Sequence, residues 1–232
     1  MLVFITGACA SSDRSSNPAE DTTTSTRSQA TADAQRIADA GLVTQADVPA
    51  GFVGRPKEST STEESDRRLR ATPACEPFEA LTEPGLVRAH SKEYGLGQGR
   101  VFDSVAMFAT RAEAASQLEL FTDPRIVDCI QGRFERTFKD ANSSLPEGVT
   151  VSGVNISPLA IDPYGDGTFG FRATITLTKG GAPQIILTDI VGVQVGRAAV
   201  TVQSTGDTSA DLAQLETTVI PKIVARLRAA GA

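Results

Sequence analysis

Apolar and polar residues alternate most regularly in the last third of the chain, and this pattern predicts strands. In TFGFRATITLT, apolar side chains take every second position from Phe169 to Leu177, and the opposite face carries Arg172 and the threonines at 168, 174, 176 and 178. QIILTDIVGVQV and AAVTVQS follow after KGGAP and Gly196-Arg197, which are typical of turns. These segments predict an antiparallel meander, with VTVSGVNIS as a further candidate strand.

Helical spacing predicts helices on both sides of this meander. TADAQRIADAG, which starts at Thr31, reads as a short helix, and a capping box at Thr110 and Glu113 opens another. A third helix follows Asp123-Pro124, with an apolar stripe at Ile126, Ile130, Phe134 and Phe138. The last helix begins near Thr208 or Ser209, and Pro221 is expected to kink or interrupt it.

Two further strands are predicted in the middle of the chain, VRAHSKEY and GRVFDSVAMFAT, joined by the turn GLGQG. Strands with short turns, covered by helices, indicate an α+β fold with a mainly antiparallel sheet.

Composition narrows the classes of function. The chain has 232 residues, of which 40% are hydrophobic, so one substantial core is expected. The formal net charge is −6 and Trp is absent, which argues against a nucleic-acid partner and against electrostatic docking on anionic lipid. No apolar run approaches the length of a membrane-spanning helix.

The first nine residues, MLVFITGAC, begin with a short apolar stretch, LVFI at residues 2–5. The next four residues, Thr6-Gly7-Ala8-Cys9, resemble a bacterial lipobox. The resemblance implies cleavage before Cys9 and a lipid, such as palmitate, on that residue. The charged start of a signal peptide is missing, and Thr6 stands where Leu or Val is usual. An N-terminal strand with a buried Cys9 is the alternative.

Residues 10–30 are rich in Ser and Thr and contain almost no large apolar residue, which predicts a disordered tether. The expected organisation is a signal-peptide remnant at 1–9, a tether at 10–30 and a single domain at 31–232. This plan places the domain on the extracytoplasmic face of the cell membrane, attached by lipid.

Cys75 and Cys129 are the remaining cysteines, and export would expose both to an oxidising compartment. A disulfide between them is therefore the expectation, with two unpaired buried thiols in a cytosolic protein as the alternative. Neither belongs to a CxxC motif or a His/Cys cluster, so zinc or thioredoxin-type chemistry has little support.

No set of residues indicates catalysis, a metal or a cofactor. His90 is the single histidine, and the sequence has no GxSxG nucleophile motif with which it could form a catalytic triad. GLGQGR at 95–100 lacks the following helix that a phosphate loop needs, so a hairpin turn is favoured. DPYGDG at 162–167 has too few oxygen ligands for a calcium loop, so a turn is favoured there too.

Arg172 lies in mid-strand on a face that otherwise carries threonines. Together with Thr174 and Thr176, it could line a partly open sheet face and bind a carboxylate or phosphate. Pairing of Arg172 with an Asp or Glu of a neighbouring strand is the favoured alternative.

Several short pieces resemble one family: ADVPAGF, the spacing of Cys75 and Cys129, VFDSVAMFATRAEAA, and DIVGVQVGRAAVTVQ before a terminal helix. They are similar to the extracellular sensor domains of PknH-type mycobacterial kinases and their free-standing actinobacterial lipoprotein relatives. The resemblance implies an α/β/α sandwich of the Mog1/PsbP type with a groove beside the sheet. Sensor domains of this group carry a second disulfide, for which this chain has no cysteines.

These features predict a cell-envelope lipoprotein whose sensor-like domain performs no chemistry. It would bind a small envelope molecule, a glycan or a protein in a groove. A lipid or glycolipid carrier is the alternative and would need an apolar cavity inside the sandwich. An envelope hydrolase would need a converging nucleophile and base, which the sequence does not indicate.

Overall fold

An eight-stranded antiparallel sheet lies at the centre of the computed structural model, which describes residues 18–56, 71–82, 85–141 and 147–232. Its strands follow the order β1-β3-β4-β8-β7-β6-β5, and β2 pairs with β4 beside β3. Their bounds are β1 Val53–Arg55, β2 Val87–His90, β3 Glu93–Leu96, β4 Gly99–Met107, β5 Val149–Pro158, β6 Gly167–Lys179, β7 Ala182–Val195 and β8 Ala198–Gly206.

Helices cover both faces of the sheet, which confirms the predicted α+β class. Their bounds are α1 Pro18–Ala40, α2 Arg111–Glu119, α3 Ile126–Ala141 and α4 Ser209–Ala230, with short 3₁₀ helices at Pro73–Thr82 and Leu120–Thr122. We call the side covered by α1 and α4 the α4 face, and the side covered by α3 and the 3₁₀ helices the α3 face. No helix among the described residues has the length and apolar character needed to cross a bilayer.

The larger core lies on the α4 face. Alternate valines of β7 and β8 meet the apolar stripe of α4, and the end of α1 packs beside them. Its members that are 1% exposed or less include Ile37, Val101, Val105, Met107, Val191, Val193, Val202, Val219, Ile220, Ile223 and Leu227. Each fully buried side chain of this size contributes roughly 1.5–3 kcal/mol of transfer free energy, so this layer holds α4 firmly on the sheet.

The α3 face has its own core, built from the predicted apolar positions of β6 and α3. Phe169 stacks on Phe121 with ring centroids 4.1 Å apart, and Phe78 is buried beside them. Cys75 and Cys129 form a disulfide with Cα atoms 4.6 Å apart, which ties the 3₁₀ helix to α3. The predicted pairing is confirmed.

The N-terminal helix differs from the expectation. It begins at Pro18, a residue type that favours the first helical turn, instead of near Thr31, so residues 18–30 of the proposed tether are helical. The side chains of residues 28–32 are exposed, and packing on the core begins at Ala34. Cys9 and residues 10–17 lie outside the described residues, so lipidation stays a prediction.

Two local predictions also need correction. VRAHSKEY forms two short strands instead of one, separated at Ser91 and Lys92. The Ser91 N–H donates to the Asp103 carbonyl at 3.1 Å, but the Asp103 N–H bonds to the Ser91 hydroxyl, 2.9 Å away. α4 continues through Pro221 as one element, since buried residues on both sides of the proline, Ile220 and Ile223 among them, anchor the helix.

Candidate functional site

Arg172 on β6 pairs with Asp189 on β7, its direct neighbour in the strand register. Nε of Arg172 donates to Oδ1 of Asp189 at 2.6 Å, and Nη2 donates to Oδ2 at 2.5 Å. Asp189 is 0% exposed, and its hydrogen bonds raise the pKa of Arg172 above its usual value. Arg172 therefore has the strand partner that the sequence allowed as an alternative, and its charge is balanced within the protein.

The N-terminus of α4 joins this pair. Nη1 of Arg172 donates to Oγ of Ser209 at 2.7 Å, and Thr208 caps the helix by accepting the Asp211 N–H. A guanidinium has five N–H groups, of which these contacts use three. Arg172 is thus a fixed link between the sheet and the first residue of α4.

Glu216 adds a second carboxyl to the cluster from the underside of α4. It is 6% exposed, and Oγ of Ser204 donates to its Oε1 at 3.4 Å. Burial raises the pKa of Glu216 to about 8, and the hydrogen bond and charge of Asp189 act in the same direction. Glu216 therefore carries a proton at neutral pH, and the cluster of Arg172, Asp189 and Glu216 has no net charge.

α4 covers only part of the α4 face and does not extend over the part that lies beyond this cluster. The helix starts above Arg172, and its far end lies beside the β7–β8 turn at Gly196, so it runs away from Thr174 and Thr176. We call the surface beyond its start the open sheet end. Its residues, which share one face by register, are Asn155, Thr174, Thr176, Ile185 and Leu187.

The open sheet end combines hydroxyl, amide and aliphatic groups. Asn155 is exposed, Thr174 and Thr176 are half-buried, and Ile185 is 55% exposed. Arg172, Thr174 and Thr176 lie on one face of β6, as their alternation in the sequence predicted. Their role in binding remains a prediction. The surface offers neutral hydrogen-bonding groups beside an apolar contact.

Sequence reasoning missed Asp189 and Glu216. A signal was present for the second, because Glu216 stands four residues after Leu212 and four before Ile220, within the apolar stripe of α4. A carboxyl in such a stripe is almost always paired or protonated when buried.

A second buried carboxyl, Asp103 on β4, anchors the chain that follows α1. Its Oδ1 accepts the Val43 N–H at 2.9 Å, and burial raises its pKa to about 6. Within the described residues, its Oδ2 has no hydrogen-bond partner. Nearby, Arg226 donates to Asp47 at 2.7 Å and to the Leu42 carbonyl. These contacts hold the segment of residues 41–50 against α4.

The remaining sequence candidates take ordinary structural positions. His90 ends β2 with an exposed side chain, and residues 95–100 form the β3–β4 hairpin, where Arg100 donates to the Gly97 and Gly99 carbonyls. Asp166 accepts the Gly196 N–H at 2.7 Å, so DPYGDG is a connection before β6. No group of three or more His, Cys, Asp or Glu residues in the described part of the chain is placed to hold a metal.

Neither a protein-family model nor a curated protein matches this chain. Among solved structures, the chain is weakly similar in fold to the extracellular domain of PknH from Mycobacterium tuberculosis, with a TM-score of 0.37 and 11% identity. That match covers 83% of this chain and 95% of the PknH chain. A protein of unknown function from Pseudomonas aeruginosa, PA94, gives a TM-score of 0.21 at 16% identity over 56% of this chain and 75% of its own.

Proposed function

We propose that this chain is a non-catalytic binding domain on the extracytoplasmic face of the cell membrane, attached through lipid on Cys9. It would be a free-standing relative of the PknH-type sensor domains, as the sequence pieces suggest. Its ligand would be a small envelope molecule, a glycan or a protein segment. The buried Cys75–Cys129 disulfide supports an oxidising compartment.

The open sheet end is the observation that carries this proposal. A rigid sheet presents Thr174, Thr176 and Asn155 beside the exposed aliphatic side chain of Ile185. Specific sites usually combine apolar contact with a few fixed polar groups, which this surface does. Because Asp189 balances Arg172, an uncharged hydrogen-bonding ligand fits better than a phosphate or carboxylate.

Surface binding is also preferred over lipid carriage. A carrier needs an apolar cavity between the sheet and its helices. The described side chains in those layers form clusters of buried residues in contact with one another, with Val191, Val219 and Ile223 on one face and Phe78, Phe171 and Ile126 on the other, which supports a filled core.

Native mass spectrometry of the protein purified from its own envelope tests the proposal. The double variant Thr174→Arg/Thr176→Arg should lose a ligand that the natural chain retains, since two long cations would fill the open sheet end. Gln214→Arg, on the exposed side of α4, is the matched control and should retain it. Equal retention in the double variant would contradict this site, and a retained acyl lipid would favour carriage.

A further inference from the structure

Residues 41–50 link α1 to β1, and polar contacts hold this 41–50 segment against α4. Arg226 of α4 donates to the Ala40 carbonyl and to the Leu42 carbonyl, at 2.8 Å in each case. Lys222 donates to two further carbonyls of the segment, at 3.2 and 3.0 Å. Both basic residues lie in the second half of α4, away from the open sheet end at its start. An inference about this segment therefore does not rest on the function proposed for that surface.

Asp103 meets the segment from the sheet. It lies in the middle of β4, is 0% exposed, and accepts the Val43 N–H on Oδ1 at 2.9 Å. Its Oδ2 has no hydrogen-bond partner in the part of the chain that the structure describes. A buried carboxylate is costly unless its oxygens are satisfied or a cation balances its charge. Asp103 therefore holds the segment while one of its own oxygens stays unsatisfied.

The nearby cation is already paired with another carboxyl, Asp47. This residue is 3% exposed and accepts Nη1 of Arg226 at 2.7 Å and the Thr44 N–H at 2.8 Å. Although burial opposes the effect, these hydrogen bonds hold the pKa of Asp47 below its usual value. Burial raises the pKa of Asp103 to about 6, and the negative charge of Asp47 acts in the same direction. On acidification, Asp103 takes up a proton while the Asp47–Arg226 ion pair is still intact.

The other described elements around Asp103 present neutral groups to it. Val202 lies opposite Asp103 in the β4–β8 register, and the buried end of α1 contributes apolar side chains such as Ile37. Tyr94 of β3 is close to both carboxyls and stays uncharged, because burial raises its pKa. His90 of β2 lies on the opposite face of the sheet, by its register with β4. A pH effect in the 41–50 segment would therefore report the proton on Asp103 itself.

We propose that Asp103 makes the 41–50 segment a pH-sensitive attachment of α1, held most firmly when the Asp103 carboxyl is protonated and opening more readily when it is ionised. Opening would let water reach the carboxylate and remove the penalty of burying its charge. α1 continues toward Cys9, so the surrounding pH would change how firmly the domain holds its own N-terminal helix.

The direction follows from the protonation of Asp103 in the two states. In the closed state its pKa is about 6, and hydration in the open state would restore the usual value of 3.8. The closed state is therefore stabilised fully below the lower value, and this stabilisation is lost as the pH rises through the upper one. The population of the open state should rise about tenfold or more between about pH 4.5 and about pH 7.

Amide hydrogen exchange of the oxidised chain tests this, with rates corrected for the intrinsic exchange rate at each pH. From about pH 4.5 to about pH 7, protection of the Val43 N–H should fall about tenfold or more in the natural chain. It should change by less than about threefold in Asp103→Asn, which keeps an acceptor for Val43 and carries no charge. Asp39→Asn removes an exposed carboxyl of α1 and is the matched control, which should follow the natural chain. The Ala173 N–H, in the middle of β6, should stay better protected than Val43 at both pH values.

Two exchange results would overturn the proposal. Equal pH responses in the natural chain and in Asp103→Asn would assign the effect to another group or to none. Exchange of Val43 no faster than that of Ala173 would show that the segment opens only when the whole fold does. If Asp103→Asn does not fold, carbon NMR of the Asp103 carboxyl in the natural chain takes its place. Its titration midpoint should lie near 6 and coincide with the change in Val43 protection, and a midpoint below about 4.5 would refute the proposal.

Discussion

Replacing Glu216 with Gln should remove most of the pH dependence of stability between about pH 6 and about pH 8. Glu216 is buried under α4 beside Asp189, and its pKa is raised from 4.5 to about 8. A carboxyl with a raised folded-state pKa stabilises the fold fully below its unfolded pKa. That stabilisation is lost as the pH rises toward the folded value. Gln is neutral at every pH and keeps the shape of the protonated side chain.

The expected size follows from the two pKa values. At a pH between the unfolded-state and folded-state pKa values, Glu216 has lost its proton in the unfolded chain but keeps it in the folded chain. The free energy of unfolding therefore falls by about 1.4 kcal/mol per pH unit, or roughly 2–3 kcal/mol from pH 6 to pH 8. Asp103, with a pKa raised to about 6, changes the free energy of unfolding mainly below pH 6. The change between pH 6 and pH 8 therefore reports on Glu216.

Urea unfolding of the oxidised protein at several pH values is the assay. The natural chain should lose stability as the pH rises, Glu216→Gln should stay nearly level, and exposed Glu135→Gln should follow the natural chain. All other titratable residues are the same in the natural chain and in Glu216→Gln, so a difference between their curves reports on Glu216. Parallel curves for the natural chain and Glu216→Gln would refute a protonated Glu216 in the folded state.

Three further predictions concern the ion pair, the disulfide and the anchor. Arg172→Met should destabilise the domain by about 3 kcal/mol or more at neutral pH, because Asp189 would be left buried without its partner; a loss below about 1 kcal/mol in chemical unfolding would contradict this. Reduction of Cys75–Cys129, which are 54 residues apart, should lower the free energy of unfolding by roughly 4 kcal/mol and the melting temperature with it, whereas an unchanged melt would show that the cross-link contributes little. Lipid-precursor labelling of cells that express the gene with its upstream region should disappear in Cys9→Ser, and equal labelling of both proteins would exclude that anchor.

The parts of the fold that were predicted correctly have local signals. The period-two pattern of residues 168–178 gives both the strand and its buried side, and α4 begins after Thr208, as its capping residue indicates. The predicted start of α1 was wrong because a Ser/Thr-rich composition opposes burial but does not prevent the segment from forming a helix. Pro221 was overestimated as a helix breaker because the packing of the flanking residues is a tertiary effect.

The candidate site could be predicted only in part for a similar reason. Alternation placed Arg172, Thr174 and Thr176 on one face without knowledge of the other strands. The pairing of Arg172 with Asp189 depends on the register between β6 and β7, and the approach of Glu216 depends on where α4 crosses the sheet. Contacts between residues that are far apart in sequence are difficult to predict from a single sequence.

The buried cluster also accounts for how the sheet can stay open beyond α4. Two carboxyls below one helix are costly to bury unless they accept hydrogen bonds, which Arg172 supplies to Asp189 and Ser204 supplies to Glu216. Arg172 also donates to Ser209, the first residue of α4. If α4 shifted by one turn, Glu216 would lose Ser204, and Arg172 would lose its contact with Ser209. The valine and leucine layer alone would tolerate such a shift more easily, because apolar contacts are not directional. We infer that the cluster fixes where α4 starts, and therefore fixes the extent of the open sheet end.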